Sequence, residues 1–128
     1  MKSLVWKMTE PPVFKNVPEK PGIYIISTMQ EVDHAFEAKY VGQADNLRAR
    51  AMEHWSKNET NTKLKEHIAE KYIMKFNYSE IASQSDRDGM ELYIYNKLNP
   101  PFNENIPPGE SVVKCTLPGV RKSKDSRQ

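Results

Sequence analysis

The chain has 128 residues, of which 38% are hydrophobic and 28% are charged, and this composition predicts one small folded domain with a modest core. Its formal net charge of +2 is far below that of a dedicated duplex-binding domain. A lone cysteine excludes an intrachain disulfide, and no apolar run has the length of a signal or membrane segment, so we expect an intracellular, cytoplasmic protein.

The predicted elements begin at the Pro21-Gly22 pair. Residues 1–17 carry the Pro11-Pro12 pair and little periodicity, so we expect an irregular N-terminal arm there. Residues 23–27 are β-branched or aromatic and residues 36–42 alternate between apolar and polar, which predicts an antiparallel hairpin with a long loop. That loop either reaches over a substrate or projects away from the domain.

Two helices and a third strand are predicted next. Asp45 or Asn46 can cap a helix that runs to about residue 57, and Asn61 or Thr62 can cap a second that runs to about residue 71. Residues 72–78 then alternate as a third strand.

The last predicted helix covers residues 85–98. Pro100-Pro101 ends it, because proline lacks the amide donor and clashes with the preceding turn. The resulting fold class is α+β, with a three-stranded antiparallel sheet flanked by about three helices in a single small domain over residues 18–105. Residues 106–128 are expected to form a C-terminal extension that ends in a basic, flexible tail.

Polar residues beside the apolar stripes of two helices are the first candidates for a functional site. On the first helix, Arg50 and His54 are stacked one turn apart next to the stripe instead of on the opposite face. On the last helix, Glu91 lies beside the stripe that begins at Met90. Each of these residues alone is most simply a snorkelling, partly buried or solvated side chain, whereas together they can line a cleft.

The residue types in this set suit the hydrolysis of a phosphodiester, which needs an activated water, a cation near the phosphorus and a stabilised leaving oxygen. Glu91 offers an oxygen ligand for one Mg²⁺ or Mn²⁺ ion, Arg50 offers a permanently charged fork for the phosphate, and His54 can accept a proton near neutral pH. Tyr24 and Tyr40 carry phenols with an ordinary pKa of about 10, so a tyrosine acts as a base only with help from the metal or Arg50 and otherwise positions the water.

The order of these residues closely resembles the pattern of the GIY-YIG nucleases over residues 18–105. The matching elements, in chain order, are Gly22-Ile23-Tyr24, Tyr40-Val41-Gly42, Asn46-Leu47, Arg50 with His54, Glu91, and Pro100-Pro101-Phe102-Asn103. The resemblance implies a small domain with a three-stranded antiparallel sheet and a nuclease activity that uses a single divalent metal. Val41 replaces the isoleucine of the pattern, and Gln43 stands where some members have lysine.

The resemblance also implies a role for each chemically active residue. Glu91 corresponds to the metal-binding glutamate and Arg50 to the arginine that contacts the scissile phosphate. Tyr24 and Tyr40 correspond to the two signature tyrosines, one of which is thought to activate the water, and the choice between them stays open. His54 stands where members carry an assisting histidine or tyrosine.

Three further residues are implied to support the site. Asn103 matches an asparagine that helps tie the active site together, Gly42 matches the glycine that lets backbone pass close to the site, and Gly22 is expected to be structural. The segments outside residues 18–105 are too short to form a DNA-reading domain. We therefore expect a stand-alone catalytic domain that acts on duplex or branched DNA, with specificity from DNA shape, a homodimer or a partner protein.

Two functions from different classes stay open at this point. The first is an active, metal-dependent DNA endonuclease, which the complete set of catalytic residue types favours. The second is a catalytically silent module that binds nucleic acid or protein and retains the fold, for which the small size and the near-neutral charge speak.

Overall fold

An antiparallel sheet of four strands organises the part of the chain that the computed structural model describes, residues 1–124. The strands are β1 (Lys7–Thr9), β2 (Gly22–Met29), β3 (Phe36–Ala44) and β4 (Met74–Glu80), and the helices are α1 (Leu47–His54), α2 (Thr62–Ala69) and α3 (Gln84–Leu98). The strand order is β1-β4-β2-β3, so β2 is central and β3 forms one edge. The expected α+β class is confirmed. Within residues 1–124 no helix has the length and apolar character needed to cross a membrane.

The sheet has one strand more than the sequence predicted. β1 pairs with β4 across three residues, from a segment that was expected to be irregular. Its residues are mostly exposed and the Pro11-Pro12 pair follows closely, so no alternation marks it as a strand. The same segment also contributes Phe14 and Val17 to the core, and the N-terminal arm is therefore an integral part of the domain.

The central strand β2 is buried on both faces and separates two apolar clusters. Because side chains alternate along a strand, Tyr24 and Ile26 face one cluster, and Ile23 and Ile25 face the other. Helices α1 and α2 cover the first face, and α3 covers the second. The edge strand β3 is thus the place where groups from both layers can meet.

Polar side chains fix the starts of α1 and α2 close to the predicted positions. Asn46 caps α1 by accepting from the Ala49 amide at 2.9 Å, and Asn61 caps α2. Both helices end earlier than predicted, α1 at His54 and α2 at Ala69. At the end of α1 the Ser56 hydroxyl donates to the Glu53 carbonyl at 2.8 Å and competes with a further helical turn.

The C-terminal extension lies against the domain as far as residue 124, in contrast to the flexible tail that the sequence predicted. Cys115 and Ser123 are buried, and Arg121 forms ion pairs with Asp33 and Glu37. The expected basic residue Arg127 lies outside the described residues. The sequence could not predict this packing, because a proline-containing segment without regular structure has no periodic pattern of apolar residues.

The hairpin loop of residues 30–35 projects away from the signature residues. Tyr24 pairs with Gly42 near one end of the hairpin, whereas Met29 and Phe36 pair at the other end, where the loop begins. The loop therefore begins at the end of the hairpin that is farther from Tyr24.

Candidate functional site

A cleft of about 210 Å³ lies beside the outer edge of β3. Four of the residues predicted from the sequence line it, each from a different part of the fold: Tyr40 from β3, Arg50 from α1, Glu91 from α3 and Asn103 from the segment after α3. Helices on opposite faces of the sheet thus contribute to one cavity around its edge.

The two remaining residues predicted to be catalytic, Tyr24 and His54, lie directly behind this cleft. Tyr24 is 0% exposed and His54 is 1% exposed. The Tyr24 hydroxyl and His54 Nε2 are 2.7 Å apart, and the ring centres of Tyr40 and His54 are 5.1 Å apart. All six residues predicted to be catalytic therefore gather in one place, four on the cleft wall and two in a buried layer behind it.

A seventh polar residue, Glu59, borders the cleft, contacts this buried layer through His54, and was missed in the sequence. Its carboxylate oxygen Oε2 forms a hydrogen bond with His54 Nδ1, while Oε1 accepts from the backbone amide of Asn61 at 2.9 Å. Glu59 is only 6% exposed although it lies in the loop between α1 and α2. The polar run around it has the composition of a solvated loop, so the only signal in the sequence was its nearness to His54.

The surroundings of His54 keep its imidazole neutral at pH 7. Burial is the largest cause that lowers the pKa of His54 to about 4; the Arg50 guanidinium also lowers it, and the Glu59 carboxylate acts in the opposite direction. Although burial alone would raise it, the pKa of Glu59 is lowered overall by the Asn61 amide and by His54. A neutral imidazole next to an ionised carboxylate is the state at rest.

Both tyrosines keep their protons at rest. Burial raises the pKa of Tyr24 well above its ordinary value, as does the neighbouring Tyr40, while Arg50 acts in the opposite direction. Burial also raises the pKa of Tyr40, again opposed by Arg50. The Arg50 guanidinium lies within hydrogen-bonding reach of both phenols, so it is the group that stabilises a phenolate at either position. It also forms an ion pair with Glu53 on its own helix.

Glu91 presents the carboxylate on the α3 side of the cleft. Its Oε1 accepts from the Gln43 side-chain amide at 3.0 Å, and the same amide nitrogen donates to Asp88 at 2.7 Å. Burial raises the pKa of Glu91, an effect that Gln43 opposes and Asp88 reinforces. Gln43 is thus a neutral donor that holds Glu91 in place.

The donor set fits a hard divalent cation. Among residues 1–124 no three His, Cys, Asp or Glu side chains converge as a closed metal site. Mg²⁺ and Mn²⁺ favour oxygen ligands, and Mg²⁺ is commonly held by one or two carboxylates, with water and substrate phosphate completing the coordination. Glu91 on the wall of an open polar cleft meets this requirement, whereas a structural zinc site would need a complete ligand set.

Asn103 holds the edge of β3. Its side-chain amide pairs with both backbone groups of Val41, accepting from the nitrogen at 3.0 Å and donating to the oxygen at 2.8 Å. The amide of Phe102 donates to the Lys39 carbonyl at 3.0 Å. Residues 102 and 103 therefore occupy the free edge that β3 would otherwise expose, and they fix Tyr40 between them.

The two signature glycines provide space, not an unusual backbone conformation. Neither has a positive φ. A Cβ atom at Gly42 would lie 2.5 Å from Tyr24 Cζ, and one at Gly22 would lie 2.6 Å from a methyl group of Leu47. Gly42 thus leaves room for the Tyr24 ring to cross β3 and point its hydroxyl toward His54.

Comparison with known proteins finds no matching family model, no matching curated protein and no matching solved structure. The function is therefore argued from the chemistry of the cleft.

Proposed function

We propose that this chain is a divalent-metal-dependent DNA endonuclease that hydrolyses phosphodiester bonds with one metal ion per site. The observation that carries the proposal is the convergence of Tyr40, Arg50 and Glu91 on one cleft, backed by the hydrogen-bonded pair of Tyr24 and His54. The resemblance of the sequence to the GIY-YIG nucleases supports the same function, and DNA as the substrate rests on that resemblance.

The cleft supplies the charges that the reaction needs. Glu91 would hold a Mg²⁺ or Mn²⁺ ion, which when bound would supply positive charge to offset that of the phosphate. Arg50 contributes a second, permanent charge that stabilises the phosphate as it becomes more negative in the transition state. Tyr40 is the tyrosine that faces the cleft, and it positions the attacking water.

Tyr24 is the tyrosine with an acceptor for its proton. In the proposed step its phenol proton moves to His54 Nε2, and the phenolate, stabilised by Arg50, takes a proton from the attacking water. The hydroxide forms a bond to phosphorus as the bond to the leaving oxygen breaks. The leaving oxygen takes a proton from solvent and the imidazolium returns one to solvent. Because Tyr24 is fully buried, the water must enter beside Tyr40.

A cleavage assay tests the proposal. Supercoiled plasmid and a branched oligonucleotide are incubated with Mg²⁺, with Mn²⁺ or with chelator, and the wild type is compared with Glu91→Gln. The matched control is Glu66→Gln, which removes an exposed carboxylate from α2. We expect metal-dependent cutting that Glu91→Gln abolishes and Glu66→Gln retains, and the substrate that is cut defines whether the target is duplex or branched DNA.

The second function, the catalytically silent module, is an outcome of the same assay. It predicts DNA binding by the wild type without cutting under any metal condition. Cutting that survives in Glu91→Gln would also overturn the proposed mechanism, because no other carboxylate on the cleft wall has been assigned to the metal.

A further inference from the structure

Glu59 closes a buried hydrogen-bonded chain that starts at Tyr24 and passes through His54. The three groups come from β2, from α1 and from the loop that follows α1. Burying a carboxylate costs several kcal/mol unless hydrogen bonds compensate the loss of water. The Asn61 amide and the His54 ring supply those bonds, so Glu59 is both buried and fixed in direction.

The carboxylate determines which ring nitrogen of His54 holds the proton. An ionised carboxylate only accepts hydrogen bonds, so a neutral imidazole facing it must hold its proton on Nδ1. Nε2 then has a free lone pair directed at the Tyr24 hydroxyl, 2.7 Å away, and the tyrosine is the donor. With the other tautomer Nε2–H would donate to Tyr24, and the tyrosine proton would have no acceptor.

The loop that carries Glu59 is tied to the cleft through Asn61. Besides capping α2, Asn61 donates from its side chain to the carbonyl of Phe102 at 2.6 Å. Phe102 precedes Asn103, which holds the edge of β3. The position of Glu59 is therefore coupled to the same segment that positions Tyr40.

We propose that Glu59 is a positioning residue, which holds the His54 proton on Nδ1 so that Nε2 can receive the proton of Tyr24, and which stabilises the imidazolium that results. The proposal rests on the nuclease function proposed above and deepens it. The carboxylate also borders the cleft, and its proposed effect on Tyr24 runs through its hydrogen-bonded partner His54.

The substitution Glu59→Gln reverses the tautomer with almost no change in shape. The Asn61 amide needs an acceptor, so the new side chain turns its oxygen toward Asn61 and its NH₂ group toward His54 Nδ1. A donor at this position forces Nδ1 to accept and moves the proton to Nε2. The exposed substitution Glu66→Gln on α2 serves as the control of equal charge change.

The first measurement is independent of activity. Long-range ¹H–¹⁵N spectra of the uniformly labelled protein at pH 7 distinguish protonated from unprotonated ring nitrogens, with His34 and His67 as internal references. We expect His54 protonated on Nδ1 in the wild type and in Glu66→Gln, and on Nε2 in Glu59→Gln. A wild-type His54 protonated on Nε2 overturns the proposal even if the Glu59→Gln protein fails to fold.

The second measurement is the single-turnover cleavage rate. We expect Glu59→Gln to lower it by about 100-fold or more, since a positioned general base contributes on that order. In a His54→Ala background, where the chain is already broken, Glu59→Gln should add almost nothing. A reversed tautomer with an unchanged rate, or a full additional loss in the His54→Ala background, contradicts the positioning role. If the wild type itself does not cut DNA, the nuclease function fails, while the spectra still decide whether Glu59 fixes His54.

Discussion

Acid should destabilise this protein through His54 before the Glu59 carboxylate titrates. The ordinary pKa of a histidine is about 6.5, and burial lowers that of His54 to about 4. Because the folded-state pKa is depressed, the neutral histidine stabilises the fold fully above pH 6.5, and this contribution is lost as the pH falls toward 4. At about 1.36 kcal/mol per pKa unit, the whole contribution is about 3 kcal/mol, of which about 2 kcal/mol disappears between pH 7 and pH 5.

That pH window isolates the histidine from the groups that face it. The pKa of Glu59 is lowered from 4.5, so its contribution is lost only below the window. The pKa values of Tyr24 and Tyr40 are raised from 10.0, and Arg50 stays charged. Among the hydrogen-bonded groups of Tyr24, His54 and Glu59, only His54 binds a different number of protons in the folded and unfolded states between pH 5 and pH 7.

Urea unfolding followed by tryptophan fluorescence at pH 7 and pH 5 gives the free energy of unfolding by linear extrapolation. The comparison variant is His54→Gln, which keeps hydrogen-bonding groups near Tyr24 and Glu59 but cannot titrate. Whatever its stability at pH 7, this variant should lose about 2 kcal/mol less than the wild type on going to pH 5. Equal losses in the two proteins would show that burial does not lower the pKa of His54 and would contradict the prediction.

Two further predictions concern the space and the charge of the site. Gly42→Ala should lower the free energy of unfolding by about 1–3 kcal/mol, because the new methyl group meets the fully buried Tyr24 ring. The control Gly119→Ala has nothing within 4 Å of its Cβ and should leave the free energy of unfolding unchanged in the same urea titration. Arg50→Lys should lower the rate of single-turnover cleavage by about 100-fold, since an ammonium group cannot reach both phenols and a phosphate as the planar guanidinium does. Urea unfolding should show that the variant is folded. A cleavage rate within a few-fold of the wild type would remove Arg50 from the proposed mechanism.

The sequence predicted those parts of the fold that leave a local signal. A run of β-branched and aromatic residues located β2, alternation located β3 and β4, capping residues located the starts of α1 and α2, and the Pro100-Pro101 pair located the end of α3. The candidate site residues were found in the same way, because polar side chains at the margin of an apolar stripe must lie near the boundary of the core. These local signals do not show which of the helix and strand margins lie next to one another in the folded domain.

The short strand β1 was missed for a physical reason. Three mostly exposed residues bury too little surface to show a period, and they pair with β4 through backbone groups that every residue carries. The packing of the C-terminal extension was missed in the same way. Its link to β3 runs through Arg121, whose backbone is hydrogen-bonded to Phe36 and Ala38 and whose side chain pairs with Glu37, and no spacing in the chain connects these residues.

Tyr24, His54 and Glu59 form a series of buried polar groups, each of which needs a hydrogen-bond partner. Tyr24 lies on a strand buried on both faces, so its hydroxyl needs a partner, and His54 at the margin of α1 provides one. His54 is then itself buried and needs a partner for its second nitrogen, which only a group from outside α1 can reach. A buried acceptor next to His54 therefore follows from the burial of Tyr24, while its identity depends on how the loop after α1 folds back. The residues of the proposed proton relay are thus the same residues that satisfy a polar group in the core. The proposed mechanism therefore depends on an ionised carboxylate, instead of a neutral acceptor, at position 59.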